Sequence, residues 1–277
     1  MKPLREQFIQ QMQLKGYSQR TIKNYVDCIL FLAKYYNTSP DLLTTEEIRN
    51  YFLYCLNVKK LSKSWMNQSI SALKILYVEV LKREWNRLDI PRPRRDTKLP
   101  LILSREEVQK ILSAHKNIKH RALLTISYSA GLRVSEVRHL KISDIDSSRM
   151  LLRIEQAKGN KDRYSVLSPI ALELLRVYYK LYKPKYWLFE NCYGQPVPES
   201  TAQKILKNAL EKSGIKKKAS IHTLRHSFAT HMLEQGVSLP IIKELLGHKS
   251  LKTTSGYLHV QQYSIDAVRS PLDALGL

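Results

Sequence analysis

Over most of its length the chain spaces apolar positions three and four residues apart, the period of helices that bury one face. Residues 4–15 predict a short helix closed by Gly16, a residue suited to a left-handed C-terminal cap. A second helix is predicted over 21–36, with Ile22, Tyr25, Ile29, Leu32 and Tyr36 in register. Thr44-Thr-Glu-Glu47 has the form of a capping box and opens a third helix through Tyr51, Phe52 and Cys55. A fourth begins near Ser64 and carries Ile70, Leu73, Leu76, Tyr77 and Val80 on one face. No strand pattern interrupts residues 3–85, so this part reads as a four-helix bundle.

The pattern breaks at residues 89–100, Asp-Ile-Pro-Arg-Pro-Arg-Arg-Asp-Thr-Lys-Leu-Pro, where three prolines forbid a helix. We read 1–88 as one domain, 89–101 as a linker and 102–277 as a second domain. The linker arginines Arg92, Arg94 and Arg95 are suited to lie along a phosphate backbone. The second domain opens with another capping box, Ser104-Arg-Glu-Glu107, and a helix to about Ala114. An apolar helix over about 119–130 stops at Gly131, and a further helix spans Arg133 to Leu140. Met150–Gln156 and Arg163–Leu167 read as strands joined by a hairpin with Gly159-Asn160 at its tip. Helices are then predicted at about 169–182, 199–212, 221–234, 239–246 and 250–258.

Composition adds a partner to this outline. Forty-six Lys and Arg against 24 Asp and Glu leave a net charge of +22, divided +9 and +13 between residues 1–100 and 101–277. Two basic domains predict a protein that grips a polyanion from more than one side, closing on a duplex as a clamp. The three cysteines, Cys28, Cys55 and Cys192, form no CxxC pair, which argues against a disulfide framework or a structural zinc site. The N-terminus has no signal-peptide pattern, and no apolar run reaches the roughly 18 residues of a membrane span. A cytoplasmic protein is expected.

The candidate chemistry is concentrated near the end of the chain. His222-Thr-Leu-Arg225-His226, Leu246-Gly-His248 and Thr253-Thr-Ser-Gly-Tyr257 follow one another, with Gly131-Leu-Arg133 far upstream. A tyrosine hydroxyl can attack a phosphodiester and keep the bond energy in a phosphoprotein. Two arginines can hold the charge that grows on the non-bridging oxygens. His222 and Arg225 share a helix face, and His248 follows Gly247 at a predicted turn. Lys158, in the hairpin, is placed to carry an ammonium group to a leaving oxygen or into a minor groove. Lys161 and Arg163 share that hairpin as candidate phosphate contacts, and Glu136 is expected to orient Arg133 from one turn away.

Taken together, Ala-Gly-Leu-Arg133-Val-Ser-Glu136, Ala-Lys158-Gly-Asn-Lys-Asp-Arg, His222-Thr-Leu-Arg225-His226-Ser-Phe-Ala-Thr, Leu-Leu-Gly-His248 and Thr-Thr-Ser-Gly-Tyr257 resemble the tyrosine recombinases, or phage-type integrases. The resemblance covers the whole chain. It implies a mainly α fold: a SAM-like helical core-binding domain, and an α+β catalytic domain with a small antiparallel sheet, together forming a C-shaped DNA clamp. It also implies Arg133 and Arg225 as clamp arginines, Lys158 as general acid, His222 in proton transfer, His248 beside the phosphate and Tyr257 as nucleophile. The implied reaction needs no metal or other cofactor. It passes through a 3′-phosphotyrosyl bond and a four-way junction in a homotetramer bound to two duplex sites. The tail after Tyr257 docks on a neighbouring protomer or packs in cis. Its Ala267-Val-Arg-Ser-Pro-Leu-Asp-Ala-Leu resembles integron integrases, whereas the 63 residues between Lys158 and His222 leave little room for their added segment. The compact layout resembles Xer dimer resolvases and small integrases of mobile elements, and the latter is the favoured subtype. A catalytically inactive DNA-binding accessory protein and a type IB topoisomerase are the alternatives.

Overall fold

Several helices in this protein start where a side chain satisfies backbone N–H groups that the first turn leaves without partners. A computed structural model describes residues 4–84, 90–93, 100–157, 161–248, 250, 254 and 255. The chain divides into two compact units, Met1–Thr97 and Lys98–Leu277.

In the first unit, α1 (Leu4–Leu14) ends just before Gly16, whose φ is +69°. Ser18 accepts from the Thr21 N–H and opens α2 (Gln19–Tyr36). Thr44 and Glu47 form the expected reciprocal box at the start of α3 (Thr45–Asn57). Ser62 caps α4 (Lys63–Lys74). Phe8, Met12, Leu32, Ile48, Phe52, Met66, Ile70 and Leu76 are buried in one core, and of these Leu32, Phe52, Ile70 and Leu76 belong to the register read from the sequence. The fourth helix departs from that reading in one respect. Beyond Lys74 it continues as a π-helix over Ile75–Val80, with Tyr77 buried and its hydroxyl donating to the Pro40 carbonyl. Ile90 is buried in the same core, and Asn67 donates to the Pro93 carbonyl at 3.1 Å. The described start of the Pro-rich segment is thus packed on this unit.

The second unit opens with the Ser104–Glu107 capping box and α5 (Arg105–Ser113), followed by α6 (Ile118–Ser129). The helix expected over 133–140 is only α7 (Val134–Arg138). It stops because the chain turns into paired backbone: Leu188 N–H donates to the Leu140 carbonyl at 2.7 Å, and Lys141 bridges Trp187. A short strand, β1 (Ile145–Asp146), was too brief to show a period-2 pattern. It pairs antiparallel with β2 (Leu151–Ala157), which pairs antiparallel with β3 (Lys161–Val166) in the order β1-β2-β3. The remaining helices are α8 (Pro169–Tyr182), α9 (Glu199–Lys212), α10 (Ile221–Glu234) and α11 (Leu239–Leu246), with the bounds the sequence predicts. Of the helix expected over 250–258, Thr254 and Ser255 are helical and most of the rest lies outside the described residues. The fold is mainly helical, with a helical first unit and one small antiparallel sheet in the second.

Cys28 and Cys55 are buried and Cys192 is exposed. Among the described residues, no helix is long and apolar enough to cross a membrane.

α10 is buried on nearly every side, polar positions included. Ser227 accepts from the Leu103 N–H at 2.9 Å and donates to the Thr223 carbonyl at 2.9 Å. His231 Nδ1 pairs with the Tyr128 hydroxyl at 2.9 Å. Ser227 and His231 thus tie α10 to the chain at Leu103 and to α6, and Arg225 is carried on the helix they anchor.

Candidate active site

The site begins where α6 ends. Gly131 has a φ of +59°, and a Cβ there would lie 2.5 Å from Phe228 Cδ1 and 3.0 Å from Leu246 Cδ2. Both the left-handed backbone and the close approach of α10 and α11 therefore call for glycine. The turn delivers Arg133 to the N-cap of α7, where its N–H donates to Glu136 Oε2 at 2.8 Å.

Glu136 is the hub of the arrangement. Its carboxylate is 4% exposed and accepts from three guanidinium groups. Arg133 Nη1 lies 2.5 Å from Oε1, Arg163 Nη2 2.7 Å from Oε2, and Arg225 Nη1 3.4 Å from Oε2. Burial by itself would raise this carboxyl. The charges of Arg163 and Arg225, then the Arg133 N–H and guanidinium, outweigh it and hold the group below the usual carboxylate range.

The same three arginines cap one helix. Arg163 Nη1 donates to the Leu245 carbonyl, Arg225 Nη2 to the Leu246 carbonyl, and Arg133 Nη2 to the Gly247 carbonyl at 3.2 Å. These are consecutive carbonyls at the end of α11, where helical partners run out and the helix dipole is negative. Gly247 ends the helix with φ +62°. A Cβ on it would stand 2.6 Å from Arg163 Cδ. Arg225 also donates to the Gly131 carbonyl at 2.8 Å. Three guanidinium groups against one carboxylate leave a surplus of positive charge, the condition for holding an anion that gains charge as it reacts.

Two further side chains complete the described site. His222 is exposed at the start of α10. Its packing, then the charges of Arg225 and Arg133, lower its pKa. His248 follows Gly247 and is half-buried. Burial, Arg225 and Arg133 push its pKa down to about 4, so the ring is neutral at pH 7. Its Nδ1 pairs with Oγ1 of Thr254, which is fully buried, at 3.0 Å. In the tautomer whose Nδ1 accepts from the Thr254 hydroxyl, the one ring proton of the neutral imidazole is on Nε2. His226, between the two, is held low by burial and then by His222 and Arg225.

The structure therefore gathers Arg133, Glu136, His222, Arg225 and His248 at the mouth of one turn. Lys158, Tyr257, Arg94 and Arg95 lie outside the described residues. Lys161 begins β3, opposite Ala157. Arg92, on the first unit, is exposed and donates to the Ser71 hydroxyl at 3.1 Å. One expectation is overturned. Arg163 is not a surface phosphate contact: its side chain is 8% exposed and faces Glu136 and the end of α11. The signal was present in β3, where Asp162 and Tyr164 point outward and Arg163 and Ser165 inward. Period-2 alternation puts Arg163 on the buried face opposite Ile154, and the charge of the surrounding hairpin concealed it. Thr254, too, was passed over as part of a motif and proves to be the partner of His248.

Comparison with known proteins follows the same division. Residues 102–263 match the phage integrase family, and residues 4–87 match the phage integrase N-terminal SAM-like domain. A Sinorhizobium fredii protein named "Putative integrase/recombinase y4qK" is 41% identical over 277 residues, covering 99% of this chain and 90% of that one. Tyrosine recombinase XerA of Pyrococcus furiosus is 35% identical over 262 residues, covering 92% and 88%. The crystal structure of XerH site-specific recombinase in a pre-cleavage complex with its difH substrate superposes with a TM-score of 0.69 at 25% identity, covering 87% and 76%. Sequence and fold agree: this chain belongs to the phage integrase family of tyrosine recombinases, the site-specific recombinases that cleave and rejoin DNA.

Proposed function

We propose that this protein is an integrase of a mobile genetic element that breaks duplex DNA with Tyr257 as nucleophile. The observation that carries the assignment of roles is the surplus of guanidinium charge around Glu136, beside His222 and His248. Arg133 and Arg225 hold the non-bridging oxygens of the scissile phosphate, and His248 adds an Nε2–H donor. Tyr257 attacks phosphorus, a 3′-phosphotyrosyl bond forms, and the bond to the 5′ oxygen breaks. Lys158 gives that oxygen its proton and His222 assists the transfer. A 5′-hydroxyl from a partner duplex then displaces the tyrosine, through a four-way junction held by four protomers whose C-terminal tails dock on their neighbours. No metal is required in this scheme. Residues 1–88 and 102–277 close on the duplex, joined by the basic 89–101 segment with Arg92, Arg94 and Arg95 on phosphates. The setting is the cytoplasm. Identity to relatives named integrase/recombinase favours the mobile-element role, and likeness to XerA supports dimer resolution as the second reading.

The test is a nicked suicide duplex carrying the inverted repeats that flank the gene. A covalent protein–DNA band on a denaturing gel, formed also in EDTA, is the expected result. No band on any cognate site would sink the proposal. Repeats at the ends of a mobile element, rather than at a replication-terminus site, separate the two readings.

Thr254→Val is the finer probe of the site. It keeps the volume and removes the hydroxyl on His248 Nδ1, leaving a polar atom without its partner at a cost of about 1–3 kcal/mol. We expect adduct formation to slow roughly tenfold in single-turnover assays, with Thr254→Ser near the wild-type rate. A valine variant as fast as wild type would remove Thr254 from the mechanism.

A further inference from the structure

The third arginine on Glu136 has no part in the scheme above, and its geometry gives it one. Resting on the reading of Arg133 and Arg225 as the phosphate clamp, we propose that Arg163 is a positioning residue that tethers Glu136 and the end of α11, so that the other two arginines are held for the phosphate without being neutralised.

Arg163 sits on the inward face of β3 and spans two elements. Its Nη2 is 2.7 Å from Glu136 Oε2, and its Nη1 donates to the Leu245 carbonyl. The side chain fills the space over Gly247 that a Cβ would need, 2.6 Å from its Cδ. Its Nε is buried with no hydrogen-bond partner among the described residues, so the group is held in place at a cost in satisfied donors.

The charge arithmetic explains why a third cation is needed. Glu136, the third residue of α7, receives the N–H of the N-cap residue Arg133. With only Arg133 and Arg225 beside it, that carboxylate would cancel half of the clamp's charge and draw both forks toward itself. Arg163, 2.7 Å from Oε2, offsets the carboxylate and leaves the charge of two arginines for the phosphate. It also fixes the carbonyl before the two that Arg225 and Arg133 hold, which sets the turn carrying His248. A surface contact with DNA, by contrast, would raise affinity and leave the chemical step alone.

The experiment compares Arg163→Met with wild type on the same nicked duplex, measuring dissociation constant, single-turnover adduct rate and thermal unfolding. We expect a folded protein that binds within about twofold of wild type and forms adduct roughly 10- to 100-fold more slowly, less than the loss of a donor that touches the phosphate. Adding Glu136→Gln removes the charge that Arg163 offsets, so the double variant should regain several-fold in rate over Arg163→Met alone. A purely structural role predicts the opposite, a double variant slower than the single one, and that result would overturn the proposal. So would an unchanged adduct rate, or a loss confined to affinity. If the methionine variant does not fold, Arg163→Lys keeps the charge and loses the two-pronged reach. It should slow the adduct at least about fivefold at unchanged affinity, and a wild-type rate would count against the proposal. Failure of the parent reading looks different: wild type gives no adduct, or Arg225→Ala forms it at the wild-type rate.

Discussion

If Tyr257 is the nucleophile proposed above, Tyr257→Phe is expected to form no covalent adduct with the nicked duplex and to bind it as tightly as wild type. The change removes one oxygen, the atom proposed to attack phosphorus. Arg133, Arg225 and His248 keep their charge and donors, so the noncovalent grip on the backbone is expected to remain, with its salt dependence. The loss of adduct is complete, because a phenyl ring cannot form the bond. A denaturing gel beside a binding titration measures both halves. Adduct at full strength would move the nucleophile elsewhere, with Tyr263 the nearest tyrosine along the tail.

The second large effect is on stability. Glu136→Ala leaves three guanidinium groups, two of them almost wholly buried, without the carboxylate that pairs them. Removing one partner of a buried ion pair costs about 3–5 kcal/mol, because the charge left behind has lost its water and its counterion. In a domain of this size that lowers the melting temperature by roughly 6 to 20 °C. The pH dependence follows from the lowered pKa of Glu136. A carboxylate held below its unfolded value contributes stability above that value, near 4.5, and loses it as pH falls through the folded one. Wild type should therefore lose stability faster than Glu136→Ala on acidification, in calorimetry between neutral pH and pH 3. Parallel curves would mean that the charge of Glu136 is not what holds the arginines.

Helices were legible wherever capping and burial agreed. Thr44–Glu47 and Ser104–Glu107 mark starts by a local hydrogen-bond exchange that needs no tertiary information, and α8, α9 and α11 keep one apolar face each. What escaped depends on partners distant in sequence. The end of α7 is set by pairing with residues 186–188, and the widened turn after Lys74 lies where Tyr77 reaches Pro40. The candidate site was legible as a set of residue types in order, since Arg133, His222, Arg225 and His248 are named by chemistry that few other residues supply. Glu136 was expected to serve one arginine and serves three. Arg163 was misplaced because its neighbours Lys161 and Asp162 suggest an exposed loop, and only the parity of the strand reveals that it faces inward.

The three carbonyls at the end of α11 carry a consequence of their own. Before any DNA arrives, the arginines already rest on oxygen atoms of the chain itself, a stand-in for the phosphate oxygens to come. The helix end and the anion cradle share one set of donors, so neither can loosen alone. Unwinding the last turn of α11 would move the carbonyls on which all three guanidinium groups rest. A displacement of the chain at Gly247 would therefore be felt by Arg163, Arg225 and Arg133 together, because the three hold adjoining carbonyls.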